Sequence, residues 1–187
     1  MSITIRRAEK SDADLIAYVV AAAIGEEAVQ NYCGERYLAV LKEIAETPQT
    51  QYSYQFALVA ELDGVKVGGI VGYDGGLLYP LREKTLEIIH RYNPGLRVYS
   101  DETESGEFYL DSIGVLPEYR GCGVGGALIH AMCECAFNAG HSLVGLIVDV
   151  HNPRAEKLYQ SQGFVRCGKR EFFAHEMWHL QKRKGKS

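Results

Sequence analysis

Between Arg120 and Gly126 the chain reads Arg-Gly-Cys-Gly-Val-Gly-Gly, the stretch best equipped for chemistry. Gly121, Gly123, Gly125 and Gly126 carry no Cβ, so their backbone N–H groups can approach a bulky anion. The spacing predicts a helix starting here, and its unpaired N–H groups and dipole favour phosphate. Arg120 adds a fixed charge and a forked donor. Cys122 and Val124 belong to the same loop; Cys122 reads as a small filler, since no paired histidine is implied. Upstream, Phe108 to Val115 (FYLDSIGV) is an apolar strand with one charge in it, Asp111, and such a charge needs a reason. The stretch reads as a pyrophosphate cradle after a strand.

Gly121-x-Gly123-x-x-Gly126 also satisfies the dinucleotide-binding fingerprint, which needs agreement from its context. In that fold the first glycine closes the strand directly, near the start of a repeating βαβ domain. Here Leu116 to Arg120, including Pro117, intervene, and one further βα unit follows. Gly185-Lys186-Ser187 copies the end of a P-loop, but Leu180 holds the first-glycine position and no following helix is expected. Both nucleotide-fold readings fail on context.

Arg120-x-x-Gly123-x-Gly125 after a strand resembles the acyl-CoA-binding signature (Gln/Arg-x-x-Gly-x-Gly/Ala) of the GNAT superfamily of acyl-CoA N-acyltransferases. Val115-Leu-Pro-Glu-Tyr-Arg120 resembles that family's lead-in. Asn152-Pro-Arg-Ala155, Leu158-Tyr159 and Gly163-Phe164 resemble its next block at the expected distance. The likeness covers Tyr109 to Phe164; the N-terminal half agrees in element order. It implies transfer of an acetyl group from acetyl-CoA, as co-substrate, to a primary amine by direct attack, without a metal. A non-catalytic acyl-CoA-binding module, or an acyltransferase with another chain or acceptor, is the alternative.

Amide formation from a thioester needs a neutral amine, a polarised carbonyl and a stabilised leaving thiolate. A lysine-like amine titrates near ~10.4, so a base or a water path must take its proton. The resemblance implies Tyr159 as the general acid, since Ala155-Glu-Lys-Leu-Tyr159-Gln-Ser-Gln-Gly163-Phe164 matches the family block. A half-buried tyrosine bonded locally is the competing reading. Asn152 caps its helix and, by resemblance, contacts the pantetheine amide. Backbone N–H groups from Ile113 to Val115 are the expected oxyanion donors. Asp111 is a candidate base, against an aspartate that only bonds a neighbouring loop. Tyr73, Asp74, Glu107, Tyr109 and no dedicated base are the alternatives. His151, Arg154 and Lys157 read as ordinary loop and helix-surface residues.

The elements that must hold these groups fit one domain of 187 residues, with an insertion at about 75–107. Hydrophobic content of 47% and charged content of 24% are those of a soluble globular protein. A net charge of −4 argues against a nucleic-acid partner. The basic tail Lys182 to Lys186 reads as a solvated end. No run approaches the ~20 apolar residues of a membrane span, and MSITIRRAEK puts charge where a signal peptide needs its apolar core. A cytoplasmic protein without a membrane partner is expected; a homodimer is left open. Five scattered cysteines do not form a disulfide framework, and the six histidines show no metal spacing.

Ile3 to Arg7 alternates like a strand. Ser11-Asp-Ala-Asp14 predicts a capping box before a helix that stops at Gly25. A second helix is expected over about Glu35 to Glu46. Strands Phe56–Leu62 and Val65–Gly72 flank Asp63-Gly64, a type I′ turn pair. The insertion should hold a helix, Leu81 to Tyr92, and a polar acidic run, Asp101 to Glu107, read as solvated. A helix to about Asn138 with Gly140 as its stop, a strand Leu143–Val150, a short helix capped by Asn152, and strands Val165–Phe172 and His175–Leu180 complete the order. The fold class is α/β: a GNAT-like central mixed sheet flanked by helices, with a helical insertion before the central strand. In that fold the two central strands splay apart, and the pantetheine arm pairs with the freed edge of the first.

Overall fold

The structure is a computed structural model and describes residues 2–185. Lys186 and Ser187, the end of the P-loop-like pattern and of the basic tail, lie outside the described residues. In chain order the elements are β1 (Ile3–Arg7), α1 (Ala13–Ile24), α2 (Glu26–Cys33), α3 (Tyr37–Glu46), β2 (Ala57–Leu62), β3 (Val65–Asp74) and α4 (Leu78–Ile89). They continue as β4 (Phe108–Val115), α5 (Val124–Asn138), β5 (Leu143–Asp149), α6 (Pro153–Ser161), β6 (Val165–Phe172) and β7 (His175–Arg183). The strands form one seven-stranded sheet, ordered β1-β2-β3-β4-β5-β7-β6. β4 and β5 pair in parallel and every other pair is antiparallel. The mixed sheet flanked by helices is the one expected.

Helices cover both faces because both faces are apolar. On one, Leu128, Ile129 and Met132 of α5 pack against Val67, Ile70, Leu110, Val144 and Leu146. On the other, Ile16 and Val20 of α1, Val40, Leu41 and Ile44 of α3, and Ile88 and Ile89 of α4 share a core with Val71. Each such side chain contributes about 1.5–3 kcal/mol by leaving water. Asp63 and Gly64 both take positive φ (49° and 83°), as a type I′ hairpin requires.

The structure corrects several local expectations. Ser11 does not cap α1: Lys10–Asp12 forms a 3-10 turn, and the Asp12 carboxylate accepts from the Glu9 N–H at 2.8 Å. Asp12 is drawn inward by Arg6 and Lys66, which it also bonds. α2 was not expected; its apolar face is only Val29, Tyr32 and Cys33, too sparse a stripe to read. α4 begins and ends about one turn earlier than predicted. Pro80 falls in its first turn, where a missing N–H costs nothing. The acidic run is not a solvated loop, since Glu102, Thr103 and Glu107 are buried.

Candidate active site

β4 carries the site. It pairs with β5 only at Phe108↔Val144 and Tyr109↔Gly145, and beyond Tyr109 the two strands part. Its other edge stays paired with β3 as far as Val115. Ile113 and Val115 lie in the parted segment, half-buried against the α5 side of the core. Asp111 is the extra residue of a β-bulge: Val71 faces Ser112 and Gly72 faces Leu110, so Asp111 has no partner on β3. A bulge re-aims a side chain without breaking the strand.

At the end of β4, a 3-10 turn over Pro117–Tyr119 leads into the glycine loop. Gly121 and Gly123 sit at φ +80° and +83°, the left-handed region, and Gly123 is the N-cap of α5. Ideal Cβ atoms at these two positions meet nothing within 4 Å, so the loop is open to solvent. Gly125 and Gly126 are small for another reason: their Cβ atoms would press on Leu158 (3.4 Å) and Gln162 (3.2 Å), across the α5–α6 contact. Arg120 is exposed and folds back, its Nε donating to the Val115 carbonyl at 3.2 Å. Cys122 is exposed and donates only weakly, to the Arg120 carbonyl at 3.9 Å. Val124 is buried as the first residue of α5. This is a helix N-terminus with its leading N–H groups turned outward, suited to an anion.

On the far side of the gap, Asn152 caps α6, its Oδ1 accepting from the Ala155 N–H at 3.1 Å. That leaves its amide donors for another partner. Tyr159 lies half-buried on α6, edge-to-face with Phe164 at 6.1 Å. Burial pushes its hydroxyl up to about 12, so it stays protonated at neutral pH. Tyr109 on β4 is buried, edge-to-face with Tyr73 at 5.6 Å.

Asp111 accepts from the Tyr73 hydroxyl at Oδ2 (2.9 Å) and from Ser112 Oγ at Oδ1 (2.9 Å). Burial, then the nearby Glu102 charge, push it up to about 7; the two hydrogen bonds pull the other way. Such a carboxyl can take up and release a proton near neutrality. The other base candidates are occupied. Glu107 accepts from His179, Gln181 and Thr103, and these bonds outweigh burial and keep it below the usual carboxylate range. Asp74 receives the Gly76 N–H at 2.9 Å, closing a turn. Burial raises Tyr73 and Tyr109 well above the usual phenol range. His151 is exposed on a loop, as are Arg154 and Lys157 on α6.

Residues 27–164 match the Acetyltransferase (GNAT) family. The chain belongs to this family. A solved acetyltransferase, 33% identical, superposes with a TM-score of 0.80 over 96% of this chain and 98% of that one. An N-acetyltransferase from Staphylococcus aureus Mu50, 24% identical, shares the fold with a TM-score of 0.79 over 95% and 99% of the two chains. The thialysine N-epsilon-acetyltransferase of Bos taurus is 35% identical over 94 residues, 50% of this chain and 52% of that protein. The match therefore spans about half the length of that relative.

Within this GNAT chain, sequence reasoning missed Gln51, Arg82 and Glu102, which stand behind Asp111. Arg82 gave a legible signal. It shares the buried stripe of α4 with Leu78, Leu81, Thr85, Ile88 and Ile89, where a cation requires a buried partner. Among the described residues no His/Cys/Asp/Glu group could hold a metal ion, and no helix is long and apolar enough to cross a membrane.

Proposed function

We propose that the protein transfers an acetyl group from acetyl-CoA to a primary amine, within one domain that spans the chain. The amine nitrogen attacks the thioester carbonyl directly; the C–N bond forms, the C–S bond breaks, the amine proton passes to Asp111, and the thiolate takes the Tyr159 proton. The parting of β4 from β5 carries this reading. It leaves a free strand edge running from Asp111 to the glycine loop, long enough for an extended amide-bearing arm. Backbone N–H groups of the cradle from Gly121 to Gly126, with Arg120, would receive the pyrophosphate, and Asn152 the arm. Ile113 to Val115 would supply the oxyanion donor. The relatives named for an ε-amine support a primary amine as acceptor.

The test is thiol release from acetyl-CoA across a panel of small amines, amino acids and peptides. Release with a primary amine, and an acetylated product by mass spectrometry, is the expected result. Acetyl-CoA binding without release from any amine would leave an acyl-CoA-binding module instead.

A further inference from the structure

Asp111 ends a buried chain of hydrogen bonds that starts in the insertion. Arg82 on α4 donates to both Asp101 (2.9 Å) and Glu102. Glu102 Oε1 accepts from Gln51 Nε2 at 2.8 Å, and the same Nε2 donates to the Tyr73 hydroxyl oxygen at 3.1 Å. Glu102, Gln51 and Tyr73 are 4%, 1% and 1% exposed, so water competes for none of these bonds.

The chain has a direction. Both hydrogens of the Gln51 amide are spent, one on Glu102 and one on Tyr73. Its Oε1 is buried without a partner among the described residues. An orphaned acceptor is costly, yet the inverted amide would set that oxygen against the Glu102 carboxylate, which is worse. Glu102 thus dictates how Gln51 lies. Gln51 fills the Tyr73 oxygen, and the Tyr73 proton is left for Asp111.

We infer that the insertion supplies Glu102 as a positioning residue for Asp111, acting through Gln51 and Tyr73 and through its own charge. The inference rests on Asp111 as the proton acceptor proposed above. The Arg82 guanidinium bonds Asp101 and Glu102, and lowers the pKa of Asp111 without bonding it. Of the titratable groups around Asp111, Tyr73 on β3 bonds it. The buried Tyr109 on β4, Tyr32 on α2 and Tyr52 before β2 are held protonated by burial and in part by the Asp111 charge. Arg82, already engaged by two acids, is the cation acting on Asp111. Burial raises Glu102, while Arg82 and Gln51 pull it the other way. In its ionised form Glu102 is an incompletely cancelled negative charge behind the base, and it favours proton uptake by Asp111. The Tyr73 hydroxyl favours the ionised form. The two act in opposite senses, and the charge is the larger.

The experiment is a carbon-13 carboxyl titration of the full chain, without acetyl-CoA or amine. Glu102→Gln should move the Asp111 midpoint down by about half a unit or more. Tyr73→Phe should move it up, and Glu102→Asp, which keeps the charge, should restore it towards wild type. The acidic limb of kcat/KM should follow in the same senses. A midpoint unmoved or raised in Glu102→Gln, or unmoved or lowered in Tyr73→Phe, overturns the inference. If Glu102→Gln fails to fold, Glu102→Met, which also removes the charge, is titrated instead, and an unmoved or raised midpoint there overturns the inference. Because no substrate is present, the titration succeeds or fails independently of the thiol-release screen.

Discussion

A Cβ built on Gly145 would stand 2.0 Å from Glu107 Oε2. The carboxylate lies directly on the β5 backbone, held there by His179 and Gln181 of β7 (each 2.9 Å) and by Thr103 of the segment between α4 and β4 (2.8 Å). Gly145 pairs with Tyr109 at the last point of contact between β4 and β5. The start of β4, just before Phe108, and β5 and β7 are thus pinned together where the sheet begins to part.

Gly145→Ala should destabilise the protein by about 1–3 kcal/mol, the range for overpacking a core. Urea unfolding reads the change, and the acetyl-CoA-induced rise in Tm should shrink with it as the gap is disturbed. An unaltered urea midpoint would mean that Glu107 moves aside freely and pins nothing.

Gly123 tests the cradle. Its φ of +83° is left-handed, and nothing of the protein occupies its Cβ space. Gly123→Ala and Gly123→Val should both fold, each at a cost of about 1–2 kcal/mol in backbone strain. Acetyl-CoA should still raise the Tm of the alanine variant weakly and that of the valine variant not at all. A wild-type shift in Gly123→Val would remove the basis for an anion at this loop.

Tyr159→Phe keeps the ring against Phe164 and removes the proton. Where chemistry limits turnover, kcat should fall roughly 10²–10⁴-fold while acetyl-CoA affinity stays close to wild type. Single-turnover kinetics with a reactive amine separates the two. Normal kcat under chemistry-limited conditions would make Tyr159 a packing residue.

Asp111 predicts two pH effects of determined sign. Its folded value of about 7 lies above the ordinary carboxylate value near ~3.9, so ionisation is favoured more in the unfolded chain. Its contribution to stability is complete below about pH 4 and is lost as the pH rises through about 7. Asp111→Asn should therefore raise Tm relative to wild type at about pH 8 and change it little at about pH 4. The same substitution should abolish the acidic limb of kcat/KM with acetyl-CoA binding retained. A variant less stable at the higher pH, or one with the limb intact, contradicts this role.

The parts of the protein readable from sequence are those whose cause is local. Gly121 and Gly123 announce left-handed backbone, Asn152-Pro153 a helix start, and Asp63-Gly64 a hairpin, because each conformation is dictated by the residue that adopts it. Apart from α2, the order of strands and helices followed from the same local signals, and the family likeness from the motifs at Arg120 to Gly125 and Asn152 to Phe164. Composition misled where burial was decided elsewhere. Asp101 to Glu107 reads as a solvated acidic loop, since the run itself contains no cation to neutralise it. Its partners are Arg82, Gln51 and His179, the last 72 positions from Glu107. Only the folded sheet brings β7 and α4 to that loop. Tertiary structure alone could thus turn an acidic run into two buried carboxylates, one pinning the strands where they part and one standing behind Asp111.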